Sequence, residues 1–313
     1  MNDEINNVDI IEYIISEECK GLRADQAIAN ENIQFSRSLV QKWIKKGNIT
    51  VNNKIIKPKD ILSENDKVTI IPEENINSNF IKPEEIFIKV EYEDKDLIVV
   101  NKDINIVSHP GAGNTSGTLA NGLAYKYPEL VNLPRSGLIH RLDKDTSGLL
   151  IVARSIESYM ILIKKMQNKE IKRRYIAFVN GQLMKNGQIN QPISRHRIDR
   201  KKMAVNPSGK EAITDYEVIK NYKYASKVRL KLHTGRTHQI RVHMQYLGYP
   251  IIGDKTYGLK IDKNNKIDIL KEFSRQALHA EELQFIHPRN DQDINIKSEV
   301  PKDLKELEEA LDV

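Results

Sequence analysis

The segment Gly137–Ala153 holds the residues best suited to chemistry in this sequence. Its polar centre, residues 140–145, combines a histidine, two aspartates and two basic residues, and an apolar run lies on each side. Asp143 on such a loop could attack an electron-poor carbon, remove a proton or stabilise a positive charge. Leu142 beside it would supply an apolar wall, which strengthens charge interactions of the carboxylate. Taken alone, the same residues could equally form a salt-bridged turn.

Periodic patterns predict the elements that would hold this loop at the mouth of a site. Apolar and alternating runs predict strands at Leu97–Val100, Gly148–Ala153, Tyr175–Val179 and Val228–Leu232. Helical spacing predicts helices over Ile156–Gln167, Thr237–Leu247 and Leu304–Leu311.

Arg241 falls within the second of these helices. The apolar positions of this helix are Ile240, Met244 and Leu247, which should form a buried stripe. Arg241 would lie about 100° round the helix from that stripe and would be free to face a cleft. Without further information it could also be an ordinary surface charge.

Residues 21–72 show a separate pattern of helix and hairpin. Ser36 is suited to cap a helix, Gly47 to end it, and Asn52–Asn53 to form a tight hairpin turn. The apolar positions of this helix are Leu39, Val40, Trp43 and Ile44. Basic residues flank that stripe at Arg37, Lys42, Lys45 and Lys46. A basic helical face of this kind suits backbone contacts with folded RNA.

Charge is unevenly distributed along the 313 residues, whose net charge is +6. Residues 135–260 hold 26 basic and 9 acidic residues. This surplus predicts a polyanionic partner such as RNA or DNA, although a merely solvated basic surface would give the same count. Cys19 is the single cysteine, which excludes an internal disulfide. No apolar run approaches the ~20 residues of a membrane helix, and no basic leader is evident, so a cytoplasmic protein is expected.

The unit at residues 21–72 resembles the S4 RNA-binding domain. The resemblance rests on three blocks, Leu22–Asp25, Ser36–Ile44 and Gly47–Asn52. Two positions depart from the family pattern, with Ala24 where the family usually has Leu and Asn53 where it usually has Gly. The resemblance implies that this unit binds structured RNA, with Arg37, Lys42, Lys45 and Lys46 as its contacts.

The loop at residues 140–148, HRLDKDTSG, is similar to the signature of the RluA family of RNA pseudouridine synthases. The similarity continues over roughly residues 87–290. Its further blocks are Glu91–Lys102, His109–Gly111, Arg174–Ala177, Gly209–Thr214, His233–His243, Gly253–Gly258 and Leu278–Ala280. One departure is Asp103, where the family commonly has Pro after Asn-Lys.

The resemblance implies an α+β catalytic domain, built on a mixed, largely antiparallel central sheet, that isomerises uridine to pseudouridine in RNA. The N1–C1′ bond breaks, the uracil turns, and C5 bonds to C1′. Nothing is oxidised and no group is donated, so neither a cofactor nor a metal is expected. By the family match, Asp143 is the catalytic aspartate, Arg241 is its paired arginine, and Tyr175 stacks on the uracil. Pairing with Arg241 would favour the ionised carboxylate and fix its rotamer.

The same match implies further contacts with the RNA substrate. Arg141 would occupy the space left when the target base is flipped out. Leu142 and Arg236 are expected beside it at the substrate. His140 is expected there too, and it could orient the loop. Asp145 is expected to be structural, because a single carboxylate is enough for a reaction in which the uracil is retained.

The predicted organisation has five parts. They are a flanking segment at 1–20, the S4-like domain at 21–72, a linker at 73–86, the catalytic domain at 87–290 and an acidic tail at 291–313. An S4 module ahead of this catalytic domain is the arrangement of family members that modify large-subunit ribosomal RNA, whereas other members act on tRNA. The family is mostly monomeric, so a monomer is expected.

Two functions of other classes compete with the isomerase. One is a non-catalytic RNA-binding or ribosome-assembly protein, and the other is a nucleoside glycosidase. Asp143, Tyr175 and Arg241 favour the enzyme over the binder, because a pure binder would need none of them. The RNA-binding module and the basic stretch argue against an enzyme for free nucleosides.

Overall fold

A computed structural model of the protein describes residues 10–31, 35, 37–71, 81–111, 113–258 and 273–312. The chain forms two compact units. The small unit comprises Met1–Lys82 with Val131–Ser136, and the large unit comprises Pro83–Leu130 with Gly137–Val313. Among the described residues, no helix is both long enough and apolar enough to cross a membrane.

The small unit packs two helices on a four-stranded antiparallel sheet. Its described elements are β1 (Ile11–Ile14), α1 (Ala24–Glu31), α2 (Arg37–Lys46), β2 (Ile49–Val51), β3 (Lys54–Ile55) and β4 (Lys67–Ile70). The strand order is β1-β4-β2-β3. Trp43 lies in the core with 1% of its surface exposed, and its ring meets that of Phe35 edge-on at 4.9 Å. This aromatic contact anchors α2 to the rest of the unit.

Local turn chemistry explains the ends of α2 and β2. Gly47 follows the last residue of α2 with a φ of +81°, the left-handed conformation that ends many helices. Asn52 and Asn53 have φ values of +49° and +60° and join β2 to β3 as a two-residue hairpin. The expected cap Ser36 lies outside the described residues, as does most of the expected linker at 73–86.

The segment expected to flank the small unit contributes a strand to it. Ile11 pairs with Ile70, and the pairing continues to Ile14 opposite Lys67. Ile15 follows with only 1% exposure. The boundary expected at residue 20 is therefore corrected, because this short alternating run completes one edge of the sheet.

Nine strands form the sheet of the large unit, as far as the structure describes it. They are β5 (Lys89–Glu93), β6 (Leu97–Lys102), β7 (Ser147–Ala153), β8 (Lys172–Asn180), β9 (Gly187–Asn190), β12 (Ile213–Asn221), β13 (Ala225–Leu232), β14 (Leu278–Ile286) and β15 (Asp293–Lys297). Between β9 and β12, β10 (Ile193–Arg195) and β11 (Met203–Val205) form a separate antiparallel pair. The order is β5-β6-β7-β14-β8-β13-β12-β9, with β15 also paired to β14. Only β7 and β14 run parallel, which confirms the mixed, largely antiparallel sheet.

Helices surround this sheet. They are α3 (Leu119–Lys126), α4 (Ile156–Gln167), α5 (Gln239–Tyr246) and α6 (Lys302–Leu311). α4 has the predicted bounds, whereas α5 begins two residues later and ends one residue earlier than predicted.

The segment expected as an acidic tail is part of the fold. β15 pairs with β14, and α6 buries Leu304, Leu307 and Leu311. Two acidic residues of α6 pair with bases of the large unit, Glu308 with Lys227 at 2.7 Å and Asp303 with Arg275 at 2.6 Å. The expected boundary at residue 291 is therefore corrected, because this segment buries apolar side chains and forms ion pairs with the rest of the large unit.

Gly148 permits the parallel contact between β7 and β14. Its φ is +115°, and a Cβ placed there would come within 2.3 Å of the carbonyl oxygen of Ala280. No other residue type could occupy this position without moving one strand. The close approach fixes where the loop before β7 meets the sheet.

Candidate active site

Asp143 lies on the loop that leads into β7, and its side chain is 18% exposed. The N–H of Thr146 donates to the carbonyl of Asp143 at 3.1 Å, which closes a turn just before the strand. The carboxylate therefore sits on a short, tightly turned segment and still reaches solvent.

Lys102 holds this loop from the end of β6. Its side chain is buried, and Nζ donates to the carbonyl oxygens of Asp103, Ile106 and Lys144 at 2.7, 2.9 and 3.0 Å. Burial lowers the pKa of Lys102 to about 7, and the nearby charge of Asp143 opposes that shift. Lys102 thus connects the turn that follows β6 to the loop that carries the aspartate.

Two further side chains fix the loop backbone. Ser108 Oγ donates to the carbonyl of Leu142 at 2.9 Å and accepts from its N–H at 3.1 Å. Arg275 Nη1 donates to the carbonyl of Asp145 at 3.3 Å while its guanidinium pairs with Asp303 on α6, with a shortest N–O distance of 2.6 Å. These contacts hold the backbone on both sides of Asp143, as a preorganised site requires.

Arg241 connects two carboxylates. Its Nη1 donates to Asp143 Oδ2 at 2.9 Å, and its Nε and Nη2 donate to the two oxygens of Asp254 at 2.7 and 2.9 Å. Burial opposes the charge on Arg241, but the hydrogen bonds and charges of Asp254 and Asp143 raise its pKa above the usual value. Burial likewise opposes the charge on Asp254, whose pKa is nevertheless lowered by Arg241. The fork of Asp254 orients the guanidinium, and one N–H remains to hold the partly exposed Asp143.

The helix that carries Arg241 is more buried than its pattern indicates. All six residues from Gln239 to Met244 are buried, and the side chain of Arg241 is only 8% exposed. Leu247, expected in the buried stripe, is partly exposed. Gln239 explains part of the difference. Its side chain donates to Ile213 and Thr214 at 3.0 Å, so the polar face of α5 packs against β12. Arg241 therefore reaches Asp143 from within the protein and not from an exposed face of α5.

His238 borders the site at the start of α5. Its Nε2 lies 3.9 Å from Asp143 Oδ1, and its Nδ1 lies 2.8 Å from the hydroxyl of Tyr257. That hydroxyl also accepts from the N–H of Met203 at 2.8 Å. Burial lowers the pKa of His238, so the ring is neutral near pH 7. His238 therefore shapes the wall beside Asp143 without adding a second full charge.

Tyr175 lies on β8 with 5% of its surface exposed. Burial raises the pKa of its hydroxyl, Arg173 acts in the opposite direction, and the charge of Asp143 adds to the rise. The hydroxyl is therefore protonated and the ring neutral at pH 7, and the charge of Asp143 acts on it.

His140 is held inside the large unit. Its Nε2 accepts from the N–H of Ile151 at 3.1 Å, and its Nδ1 is buried without a partner. Burial, together with the charge of Arg173, lowers the pKa of His140 to about 3. These contacts favour a structural role, since they tie the loop to β7, over the RNA contact that we expected.

The other expected substrate residues differ in accessibility. Arg141 is exposed, and Leu142 is buried beside it. Arg236 is partly buried, and its Nε donates to the carbonyl of Glu211 at 2.9 Å. Arg141 thus presents a cation next to Asp143, whereas one edge of Arg236 is already used within the large unit.

Exposed bases cover α2 of the small unit. Lys42, Lys45 and Lys46 are exposed. Arg37 pairs with the buried Asp25 at 2.8 Å, and Arg23 also donates to that carboxylate. Arg37 therefore belongs in part to the core of the unit, which leaves Lys42 and Lys45 as more available cations.

Asp254, Lys102 and Ser108 support the site but were not predicted to do so. Asp254 and Lys102 lie in sequence blocks that carried the family resemblance. Their place in these blocks marks them as candidate site residues but does not indicate what they contact. Ser108 has no sequence signal, because its contact with Leu142 joins residues far apart in the chain.

Two family models match parts of the chain. Residues 96–246 match the family RNA pseudouridylate synthase, and residues 22–68 match the S4 domain. The chain is 40% identical to the ribosomal large subunit pseudouridine synthase D of Haemophilus influenzae over 303 residues, which cover 95% of this chain and 93% of that protein. It is 41% identical to the protein of the same name from Yersinia pestis, with the same coverage.

Solved structures show the same fold. Human RNA pseudouridylate synthase domain containing 1 aligns with a TM-score of 0.55 and 26% identity, over 72% of this chain and 94% of that one. Human RNA pseudouridylate synthase domain containing 4 aligns with a TM-score of 0.57 and 22% identity, over 71% and 92% of the two chains.

Proposed function

The chain belongs to the RNA pseudouridylate synthase family, and we propose that it isomerises a uridine of large-subunit ribosomal RNA, with Asp143 as the group that acts on the ribose. The observation that carries the proposal is the chain of contacts from Asp254 through Arg241 to the partly exposed Asp143. Such a chain delivers one oriented, ionised carboxylate to a site open to a large substrate.

Asp143 meets the needs of the first step. Cleavage of the N1–C1′ bond puts positive character on C1′, and an ionised carboxylate can bond to that carbon or stabilise it. Alternatively, the carboxylate can remove a proton from the ribose. Both routes use the charged carboxylate, and the guanidinium of Arg241 lies 2.9 Å from it as its counter-ion.

Tyr175 and Arg141 act on the base. The neutral ring of Tyr175 provides a flat support on which the freed uracil turns before C5 bonds to C1′. Arg141 is exposed beside Asp143 and fills the space that the flipped nucleotide leaves. The uracil stays in the site, so no second carboxylate is needed to protonate a leaving group.

The ribosomal substrate rests on two observations. An S4 domain precedes the catalytic region, and relatives 40% identical over most of their length are named for the large ribosomal subunit. Exposed lysines on α2 provide backbone contacts to structured RNA. The proposal includes a monomeric enzyme in the cytoplasm with RNA as its partner; a substrate in tRNA is the alternative for the same chemistry.

Replacing Asp143 tests the proposal. Asp143→Asn should lower isomerisation by roughly 10³-fold or more, because an amide cannot stabilise or attack C1′. RNA binding should persist, since phosphate contacts supply most of the affinity. Release of tritium from C5-labelled uridine in large-subunit RNA measures activity, and a filter-binding assay measures affinity.

Asp145→Asn is the matched control, since it makes the same chemical change two residues away. It should keep activity within about tenfold of the unmodified enzyme. Equal activity of both variants and the unmodified enzyme would contradict a catalytic Asp143, and absence of activity on any RNA would favour a binding protein. Activity on tRNA but not on ribosomal RNA would retain the chemistry and overturn the substrate.

A further inference from the structure

Arg173 is a buried cation without a counter-ion. It lies on β8 with 6% of its surface exposed. Among the described residues its side chain has no ion-pair or hydrogen-bond partner, and its Nε is buried. Burial lowers the pKa of Arg173, but an arginine remains protonated at neutral pH. The protein thus holds a nearly buried guanidinium and supplies no acceptor for any of its five donors.

In the part of the chain that the structure describes, no carboxylate pairs with Arg173. Its partners on the two neighbouring strands are Leu232 and Leu283. The charge of Arg173 lowers the pKa of His140, which is therefore neutral and supplies no negative charge. A buried charge without a partner is costly, so its retention indicates a ligand that supplies the opposite charge.

The guanidinium points to a surface that a ligand can reach. A Cβ added at Gly235 would come within 2.8 Å of Nη1, so the backbone of Gly235 lies directly against the guanidinium. Gly235 itself is exposed. Gly235 thus has no side chain that would displace the guanidinium, and Nε is the guanidinium nitrogen that is fully buried, so an anion from solvent can reach the terminal nitrogens.

Arg173 also lies on the same side of β8 as Tyr175, because residues two apart in a strand point to one face. Their separation along the strand is about 6.6 Å. This is comparable to the distance between the uracil ring of a nucleotide and its own phosphate. An anion at Arg173 would therefore belong to the nucleotide whose base lies on Tyr175.

We propose that Arg173 binds one of the two phosphodiesters that flank the target uridine and so seats that nucleotide beside Asp143. The proposal rests on the proposed function, since it identifies the part of the RNA that this site holds. A planar guanidinium suits a phosphate because two parallel N–H donors meet two oxygens.

A double-mutant cycle that combines a change in the protein with a change in the RNA tests the contact. RNA carrying a neutral methylphosphonate on the 5′ or the 3′ side of the target uridine removes one phosphate charge at a time. At one of these positions the unmodified enzyme should lose about 10- to 100-fold in kcat/KM, and Arg173→Met should lose a similar factor on ordinary RNA. The two changes together should cost no more than either alone. Losses that multiply at both positions would overturn the proposal.

Lys172→Met is the matched control, because it removes the same charge from the neighbouring, exposed position. It should remain sensitive to the methylphosphonate. The same four combinations of protein and RNA are also compared by their Kd values. If the protein binds RNA but isomerises no uridine, the proposed function is refuted, and the Kd values still test the phosphate contact.

Thermal unfolding without RNA separates ligand binding from a structural role. Arg173→Met removes an unpaired buried charge and should unfold at the same temperature as the unmodified protein or a higher one. A structural arginine would give the opposite result. A lower unfolding temperature for Arg173→Met than for Lys172→Met would overturn the proposal.

Discussion

Arg241 is the residue on which the electrostatics of the site depend, because it holds Asp143 with one N–H and Asp254 with two. Asp254 is fully buried and also accepts from the N–H groups of Thr256 and Tyr257. It is therefore fixed by its own backbone contacts, and Arg241 takes its orientation from it. Asp254 acts through Arg241 and touches no substrate, which makes it a positioning residue.

Asp254→Asn should lower kcat by about 10- to 100-fold with little change in KM. The amide offers one acceptor oxygen where the carboxylate offered two, so Arg241 and hence Asp143 would be less precisely held. Single-turnover rates at saturating RNA give the chemical step, and Kd gives binding. Asp215→Asn is a suitable control, since Asp215 pairs with His233 away from this network. A loss confined to RNA affinity would contradict the positioning role.

At the level of single residues, the sequence pattern offered Asp143 and Arg241 as candidates but carried no information on the contact between them. The two are 98 positions apart, and local periodicity carries no information on such a pair. Only the family resemblance linked them. The same limit applies to Ser108 and Arg173, whose roles depend on residues brought close by the sheet.

The elements around the site are joined by a buried hydrogen-bonded histidine. His279 on β14 lies 2.9 Å from Ser147 Oγ on β7 and 2.8 Å from Ser298 Oγ just after β15. Burial and the charge of Arg275 lower the pKa of His279 to about 4. The neutral ring therefore links three strands at the centre of the sheet.

This linkage predicts loss of stability in mild acid. The unfolded chain takes up a proton at His279 near pH 6.5, whereas the folded chain does so only near pH 4. Stability from this residue is therefore complete above pH 6.5 and is lost as the pH falls to about 4. The expected loss is about 3 kcal/mol in the free energy of unfolding.

Urea denaturation of the unmodified protein and of His279→Gln between pH 4 and 8 measures the effect. The difference in unfolding free energy between the two proteins should shrink as the pH falls, because glutamine does not titrate. A constant difference across this range would show that His279 does not contribute to the acid sensitivity.

At the level of elements, continuous apolar runs predicted β6, β7 and β8, and helical spacing predicted α4 with its correct ends. β1 and β15 were not predicted, because short strands with alternating but weak patterns depend on a partner strand for stability. α5 was misjudged for a different reason. Its buried polar residues, such as Gln239, look like a solvent-facing side until their partners are known.

The charge of the whole molecule is distributed so that the small unit adds almost nothing to it. Residues 1–72 contain 10 basic and 11 acidic residues, a net charge of −1. The acidic α6 neutralises part of the basic sheet, through Glu308 with Lys227 and Asp303 with Arg275. The positive surplus that remains belongs to the catalytic region.

Deleting residues 1–72 should therefore leave nonspecific RNA affinity close to unchanged but weaken binding to the cognate RNA. The reason is that bulk charge hardly changes, whereas contacts to a particular RNA fold are lost. Each lost phosphate contact should reduce the slope of log K against log salt by about 0.7–0.9. Binding of both proteins to cognate and scrambled RNA across a salt series tests this. Equal losses on both RNAs would show that the small unit is only an electrostatic anchor.

The position of β14 also has a consequence for the order in which the protein matures. Synthesis proceeds from the N-terminus, yet the place between β7 and β8 is filled by a strand that begins at Leu278. Until that strand leaves the ribosome, β7 has no parallel partner, and Arg275 and Gln276 are not in place to fix the loop of Asp143. A nascent chain can therefore fold its S4 domain early, while the catalytic sheet waits for long-range pairing at the end of translation. The protein acquires RNA affinity before it acquires the capacity to modify RNA.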